Sequence, residues 1–175
     1  IALYYLLKFL KTKNPKIFGM NIKNYDGSFI KEKQKMSIDI FGYPIPSNKL
    51  FYIDGSSIGF ESEAFKKIGM FDEDHFIFAE DIDICWRALI YGYKLELCED
   101  ANVYHYMGGS LDGSKSNEGL IHKTSLFRRY HTEKNTLTNL IKNYSVYSLI
   151  IIIPIYLLLI FFEISFFLLI KFDLN

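Results

Sequence analysis

Residues 71–87, FDEDHFIFAEDIDICWR, carry six carboxylates, Asp72, Glu73, Asp74, Glu80, Asp81 and Asp83, in a chain whose twenty acidic and twenty basic side chains cancel. A solvated acidic face has no need of Phe76, Phe78 and Trp86 among its charges. A buried face tolerates carboxylates only when they have partners. Part of the cluster has ordinary structural work. Glu80 and Asp81 stand where a helix begins, and carboxylates there accept from free N–H groups and favour the positive end of the dipole. Asp83 lies four residues before Arg87, the spacing of a helical ion pair. Asp72 and Asp74 are placed to cap or turn the loop after Gly69. None of this explains why the acids follow an aromatic run, Phe76-Ile77-Phe78-Ala79, suited to the wall of a pocket.

Three other groups are candidates for chemistry. His105 ends a strand-like segment before Gly108-Gly109, and imidazole is a common ligand for divalent metals. Gly55-Ser56-Ser57-Ile58-Gly59 matches G-x-S-x-G, the nucleophile elbow of hydrolases, with Asp81 or Asp83 and His105 following in the right order. An elbow needs its helix to start at the serine, and here the helical pattern opens near Ser62, so Ser57 is the weaker alternative. Cys85 and Cys98 have no metal or redox spacing and read as small buried hydrophobes. The acids do not fit a calcium loop of the EF-hand type, which wants ligands at alternate positions around a central glycine. Dispersed basic residues without an aromatic stacking platform argue against nucleic acid.

The elements that must position these residues follow from periodicity. Apolar spacing predicts a helix over 2–11, closed by Asn14-Pro15. Strands are expected at 16–23 and 49–61, and NYDG (24–27) turns the chain into a hairpin arm. GYPIPSN (42–48) reads as irregular. A short helix over 62–69 stops at Gly69, and a helix from Glu80 to Tyr91 stops at Gly92 with Ile82, Cys85, Trp86 and Leu89 on one stripe. YKLELC (93–98) and ANVYHY (101–106) read as two strands, 108–117 as a glycine-rich loop, and the following segment as a polar helix. Interleaved helices and strands make the class α/β. Residues 146–170 are apolar almost without relief, longer than the roughly 20 residues a bilayer requires. Pro154 is tolerable in such a helix. Glu163 is its only charge, either facing a bundle or marking a weak point in the span. Arg128, Arg129, Lys134 and Lys142 precede the span and Lys171 alone follows, which predicts a cytoplasmic location for the folded part. The chain begins at Ile1 and ends five residues after the span, and is expected to be a fragment.

Read in order, the pieces resemble the C-terminal half of a family 2 glycosyltransferase of the membrane-associated, rhamnosyltransferase-like kind. They are Asp54-Gly55-Ser56, Ile68-Gly69-Met70-Phe71-Asp72-Glu73, Phe76, Phe78, Glu80-Asp81, Asp83, Arg87, Gly92-Tyr93 and Ala101 through His105. The family pattern is G-x-F-D-E, then F-x-x-x-E-D-x-D-x-x-x-R, then G-Y, then A-x-x-x-H. Tyr130, Lys134-Asn135 and Lys142-Asn143 resemble the R-N…K-N helix before the membrane segment, with Lys134 in place of the usual arginine.

The resemblance implies a partial GT-A fold over 1–113 that lacks its nucleotide-binding half, a polar juxtamembrane helix over 114–145, and a transmembrane helix over 146–170. It implies inverting transfer of a sugar from a nucleoside diphosphate sugar to a hydroxyl of a glycan or lipid-linked acceptor, in cell-surface polysaccharide or glycoconjugate synthesis. Asp81 is the implied base, and Glu80, Asp83 and the Asp54-Gly55-Ser56 turn the implied substrate-binding residues. His105 is the implied ligand of a divalent cation, Mn or Mg, shared with an Asp-x-Asp motif absent from this chain. Without that motif, the chain alone is expected to be inactive. A membrane-tethered, binding-only relative without activity is the alternative from another class.

Overall fold

The computed structural model describes residues 1–27, 35–105 and 126–173, and the side chains through residue 166 except that of residue 126. The glycine loop at 108–117, Gly108-Gly109 and the start of the juxtamembrane segment lie outside the described residues. So does the first half of the hairpin arm, 28–34.

Helix α1 (Ala2–Lys13) ends where Asn14 adopts a left-handed φ of 47° and returns its N–H to Leu10 O at 3.0 Å. Pro15 cannot continue a helix. The chain then enters β1 (Ile17–Asn24), the centre of a three-stranded mixed sheet in the order β4-β1-β5. β4 (Gly59–Phe60) runs antiparallel to β1, and β5 (Leu95–His105) runs parallel to it. Gly19 of β1 is demanded by space: a Cβ there would lie 2.5 Å from Ile53 Cγ2.

Expectations for 93–106 gave two strands, whereas β5 is one strand of 11 residues with an irregularity inside it. Cys98 pairs with Met20 and Asn102 with Asn21, so Glu99, Asp100 and Ala101 are extra. The Asn21 side-chain amide bonds to Glu99 O across the bulge. Extra residues bend a strand without ending it, which places the exposed Glu99 and Asp100 outside and Ala101 in the core.

GYPIPSN is not irregular. Pro44–Pro46 forms β3, antiparallel to β2 (Met36–Ile38). Asp39 closes the turn by accepting N–H bonds from Phe41 and Tyr43 at 2.9 Å each. Two prolines are tolerated because an edge strand does not need their missing N–H groups. The expected strand over 49–61 is broken. Tyr52 bridges to Met36, the chain turns at Asp54–Ser57, and only Gly59–Phe60 joins the sheet. Local hydrogen bonding by Asp54 wins over strand propensity: its Oδ1 accepts from Ser56 N–H at 3.0 Å and Ser56 Oγ–H at 2.6 Å.

Helix α2 (Ser62–Lys67) is capped by Glu61, whose carboxylate accepts from Ala64 N–H at 2.8 Å. A 3-10 turn over Glu73–His75 leads to α3 (Glu80–Ile90). Ile82, Cys85 and Trp86 of α3 are buried as their spacing requires, with Ile84 and Ala88 beside them. Helix α4 (Leu126–Asn143) packs on α3, and α5 (Val146–Asp173) follows after a tight turn. Val146–Phe166 is long and apolar enough to cross a membrane. The class is mixed α/β.

Candidate functional site

Helix geometry divides the acidic cluster. Residues 81 and 83 are about 200° apart around an α-helix, so their side chains leave opposite sides of α3. Asp81 faces the Asp54–Ser57 turn. Its Oδ2 accepts from Gly55 N–H at 3.0 Å and its Oδ1 from Ile82 N–H at 2.8 Å. A Cβ on Gly55 would sit 3.7 Å from Glu80 Oε1 and 3.9 Å from Asp81 Oδ2, which locates all three groups at one spot. The structure therefore brings together Asp54, Gly55, Ser56, Glu80 and Asp81, residues 26 positions apart in sequence at the Gly55–Asp81 bond.

The electrostatics follow from that assembly. Burial pushes the Asp81 carboxyl up to about 7, and the charges of Glu80 and Asp54 push the same way, against the two backbone N–H bonds. Asp81 is itself partly buried and keeps some surface open to solvent. Burial raises the Tyr52 hydroxyl as well, with the Asp81 and Asp54 carboxylates adding to it. Glu80 Oε2 is buried with no hydrogen-bond partner. Asp54, Glu80 and Asp81 are not among the described groups whose oxygens lie close enough to share an ion, so the orphaned oxygen is an acceptor open to a polar ligand.

Asp83 has a different environment. It is 0 % exposed. Arg87 donates to its Oδ2 from Nε at 2.9 Å and Nη2 at 2.6 Å. Lys142 Nζ lies 3.0 Å from its Oδ1, which also accepts from Asn143 Nδ2 at 3.2 Å. Arg87 reaches on to Ile68 O and, at 2.7 Å, to Met70 O, tying the end of α2 to α3. Both oxygens of Asp83 are thus engaged by the protein, and in this geometry the residue holds the helix rather than a ligand.

Among the described residues, the group of acids and histidine close enough to hold an ion is Asp72, His75 and Asp83. A cation is already there. Lys142 Nζ is 2.7 Å from Asp72 Oδ2 as well as 3.0 Å from Asp83 Oδ1. With Arg87, two positive groups balance the two carboxylates, so a divalent ion would have to displace the ammonium. The Lys142 hydrogen bond holds the Asp72 carboxyl down at about 2. His105, the expected metal ligand, is half-buried at the end of β5 opposite Asn24 and lies outside this group.

What sequence reasoning missed is the clamp that α4 places on residues 72–79. Phe76, Phe78 and Ala79 have φ of 59°, 68° and 59°, a left-handed region costly for side chains with a Cβ. Asn135 Nδ2 donates to the carbonyls of His75, Ile77 and Phe78 at 2.8, 2.8 and 2.7 Å. Asn139 donates to Ala79 O at 2.9 Å and accepts from His75 Nε2 at 2.7 Å. Lys134 Nζ donates to Asp74 O at 2.6 Å, tying α4 to the acidic loop. The readable signal was three asparagines, 135, 139 and 143, spaced four apart on one face of a polar helix.

The aromatics are spread over several jobs. Phe76 stands against Phe127 and His131 of α4, the Phe78 ring lies under Arg128, and Trp86 packs between Phe51 and Tyr144. Ser57 is buried in its turn with Oγ donating to Asp54 O at 3.4 Å, and α2 starts only at Ser62, which is not elbow geometry. The Cys85 thiol is pushed up to about 12 by burial and accepts from Ile53 N–H at 3.4 Å. It is not a nucleophile.

No protein-family model, curated protein or solved structure matches this chain.

Proposed function

We propose that the chain is the acceptor-side part of an inverting, membrane-associated glycosyltransferase of the GT-A type, with Asp81 as its base. The observation that carries this reading is the Asp81 carboxylate at the mouth of α3. Its pKa is raised to about 7, and Gly55 N–H fixes its orientation. A base near neutrality combines the correct protonation state with useful driving force for proton transfer. Each Asp81 oxygen accepts one backbone N–H, from Gly55 and from Ile82, and a carboxylate oxygen with one such bond keeps a lone pair for an acceptor hydroxyl.

In the proposed reaction the acceptor oxygen attacks the anomeric carbon of a nucleoside diphosphate sugar as its proton passes to an Asp81 oxygen. The bond to the diphosphate breaks, and its electrons leave with that group. Single displacement inverts the anomeric centre and needs no second carboxylate as nucleophile. Glu80 and the Asp54-Gly55-Ser56 turn border the acceptor hydroxyl, and Asp83 maintains the helix that presents Asp81. A divalent cation, Mg²⁺ or Mn²⁺, would neutralise the leaving diphosphate. His105 is its proposed ligand from this chain, together with acidic residues outside it. The orphaned Glu80 oxygen supports a polar substrate near Asp81. The acceptor class is a glycan or lipid-linked hydroxyl compound, and the basic residues preceding α5 favour a cytoplasmic catalytic face.

The test is Asp81→Asn in the full-length protein. Transfer should fall by about 10²–10⁴-fold, the usual contribution of general base catalysis, with the fold and donor binding preserved. Activity within a few-fold of the parent removes Asp81 as base and favours a binding-only role for the site.

A further inference from the structure

Helix α5 does not stand apart from the folded domain. It returns antiparallel along α4, and the two arms meet at matched distances from the turn between Asn143 and Val146. Glu133 Oε2 accepts from the Tyr156 hydroxyl at 3.0 Å. Further from the turn, Arg129 pairs with Glu163 at 2.5 Å and with Glu133 at 2.9 Å. Leu149, Ile152, Tyr156 and Ile160, spaced three or four apart, pack on the domain core, and Glu163 extends the stripe. Tyr156 is 1 % exposed, with its ring 6.3 Å from those of Phe41 and Tyr43. The other rows are bare: Ile151 is 65 % exposed, Leu158 56 % and Phe162 63 %.

A helix crossing upright from Val146 uses about 20 residues to pass roughly 30 Å of hydrocarbon. The docked stripe, from 149 to 163, would then run through most of that depth and take its partners with it. Those partners include Arg129 and Glu133. The same helix carries Lys134 and Asn135, which hold the irregular 72–79 segment. Charged side chains at bilayer depth are costly, and irregular backbone survives there only when enclosed by protein. Laid flat, the same contacts stay at headgroup level and the bare rows enter the acyl region. The cleft of about 290 Å³ between the arms is lined by Arg129 and Glu133 of α4 and by Leu159, Ile160 and Glu163 of α5.

We propose that α5 is an in-plane membrane helix: it lies along one leaflet of the bilayer with the domain docked on its upper face and does not cross. The occupant of its exposed rows is lipid. The Val146–Phe166 segment as a whole has a mean hydropathy of 2.7, and the domain supplies the polar face that the helix lacks. The inference rests on α5 being a membrane segment and alters the reading of it as a span.

Depth-dependent quenching tests both points separately. Ile151→Cys, Leu158→Cys and Phe162→Cys are made singly in the full-length protein, labelled with a fluorophore, and reconstituted into vesicles with spin labels at graded acyl depths. These positions share one face of the helix. The in-plane helix gives the same shallow depth at all three. An upright helix with its midpoint near residue 156 places 151 about 7 Å, 158 about 3 Å and 162 about 9 Å from the bilayer midplane, so 158 reads deepest and the other two shallower, which overturns the proposal. Absence of quenching at all three sites removes α5 from the membrane altogether and overturns the premise with it.

Discussion

Replacing Asn135 should uncouple the acidic loop from α4. The side chain is 0 % exposed, and its two amide hydrogens serve three carbonyls, those of His75, Ile77 and Phe78. At most two full bonds are lost in Asn135→Ala, at about 1 kcal/mol net each, but the buried carbonyls left without partners add about 1–3 kcal/mol. The three left-handed residues at 76, 78 and 79 store strain of about 1–3 kcal/mol each. Its release as the loop rearranges offsets part of the loss. The expected global destabilisation is therefore about 2–4 kcal/mol, and the rearrangement moves the start of α3. Two measurements check this on the solubilised full-length protein: the denaturant midpoint at constant m value, and amide exchange across 76–82, which should accelerate. Asn135→Leu keeps the volume without a donor and should do no better than Ala. Unfolding within about 0.5 kcal/mol of the parent, or rescue by leucine, refutes the clamp.

Three further outcomes follow from the site. The Asp81 carboxyl, raised to about 7 from an ordinary 3.8, binds a proton in the folded state where the unfolded chain has released it. Its ionisation therefore costs stability as pH rises from about 4 to 7. Asp81→Asn should melt higher than the parent above pH 7, on the order of 1 kcal/mol given the solvent it still touches, and equal to it near pH 4; the parent's kcat/KM should rise with pH to a plateau above about 7. Lys142→Met removes the ammonium between Asp72 and Asp83. The expected loss is roughly 2 kcal/mol at neutral pH, less than for a wholly stripped buried pair because Arg87 remains on Asp83. Since Asp72 is lowered to about 2, that loss should close as pH falls from about 4 to 2. The vacated Asp72–His75–Asp83 group should also gain a Mn²⁺-dependent rise in Tm that the parent lacks. For His105→Ala, a weakened Mn²⁺ or Mg²⁺ dependence of transfer is expected, and an unchanged metal titration removes His105 from the site.

Much of this protein was written locally. Apolar periodicity and stop residues placed α1, α2 and α3 close to their observed ends, because those signals act within a few residues of one another. The Asp83–Arg87 pair was legible for the same reason, and composition alone marked Val146–Phe166 as a helix long and apolar enough to cross a membrane. Tertiary structure decided what local patterns could not. The strand expected through Asp54 breaks because a carboxylate turn, stabilised against Asp81, outcompetes it. Whether Asp81 is an ordinary helix cap or a base near neutrality depends on Asp54, Glu80 and burial, contributions that sum over distance in space and not along the chain. The positive-φ residues 76, 78 and 79 hold because α4, some sixty residues on, satisfies the carbonyls of this segment. Whether a 21-residue apolar helix crosses or lies flat depends on what docks along it. Composition measures its affinity for lipid, and only the contacts of Tyr156 and Glu163 bear on its direction.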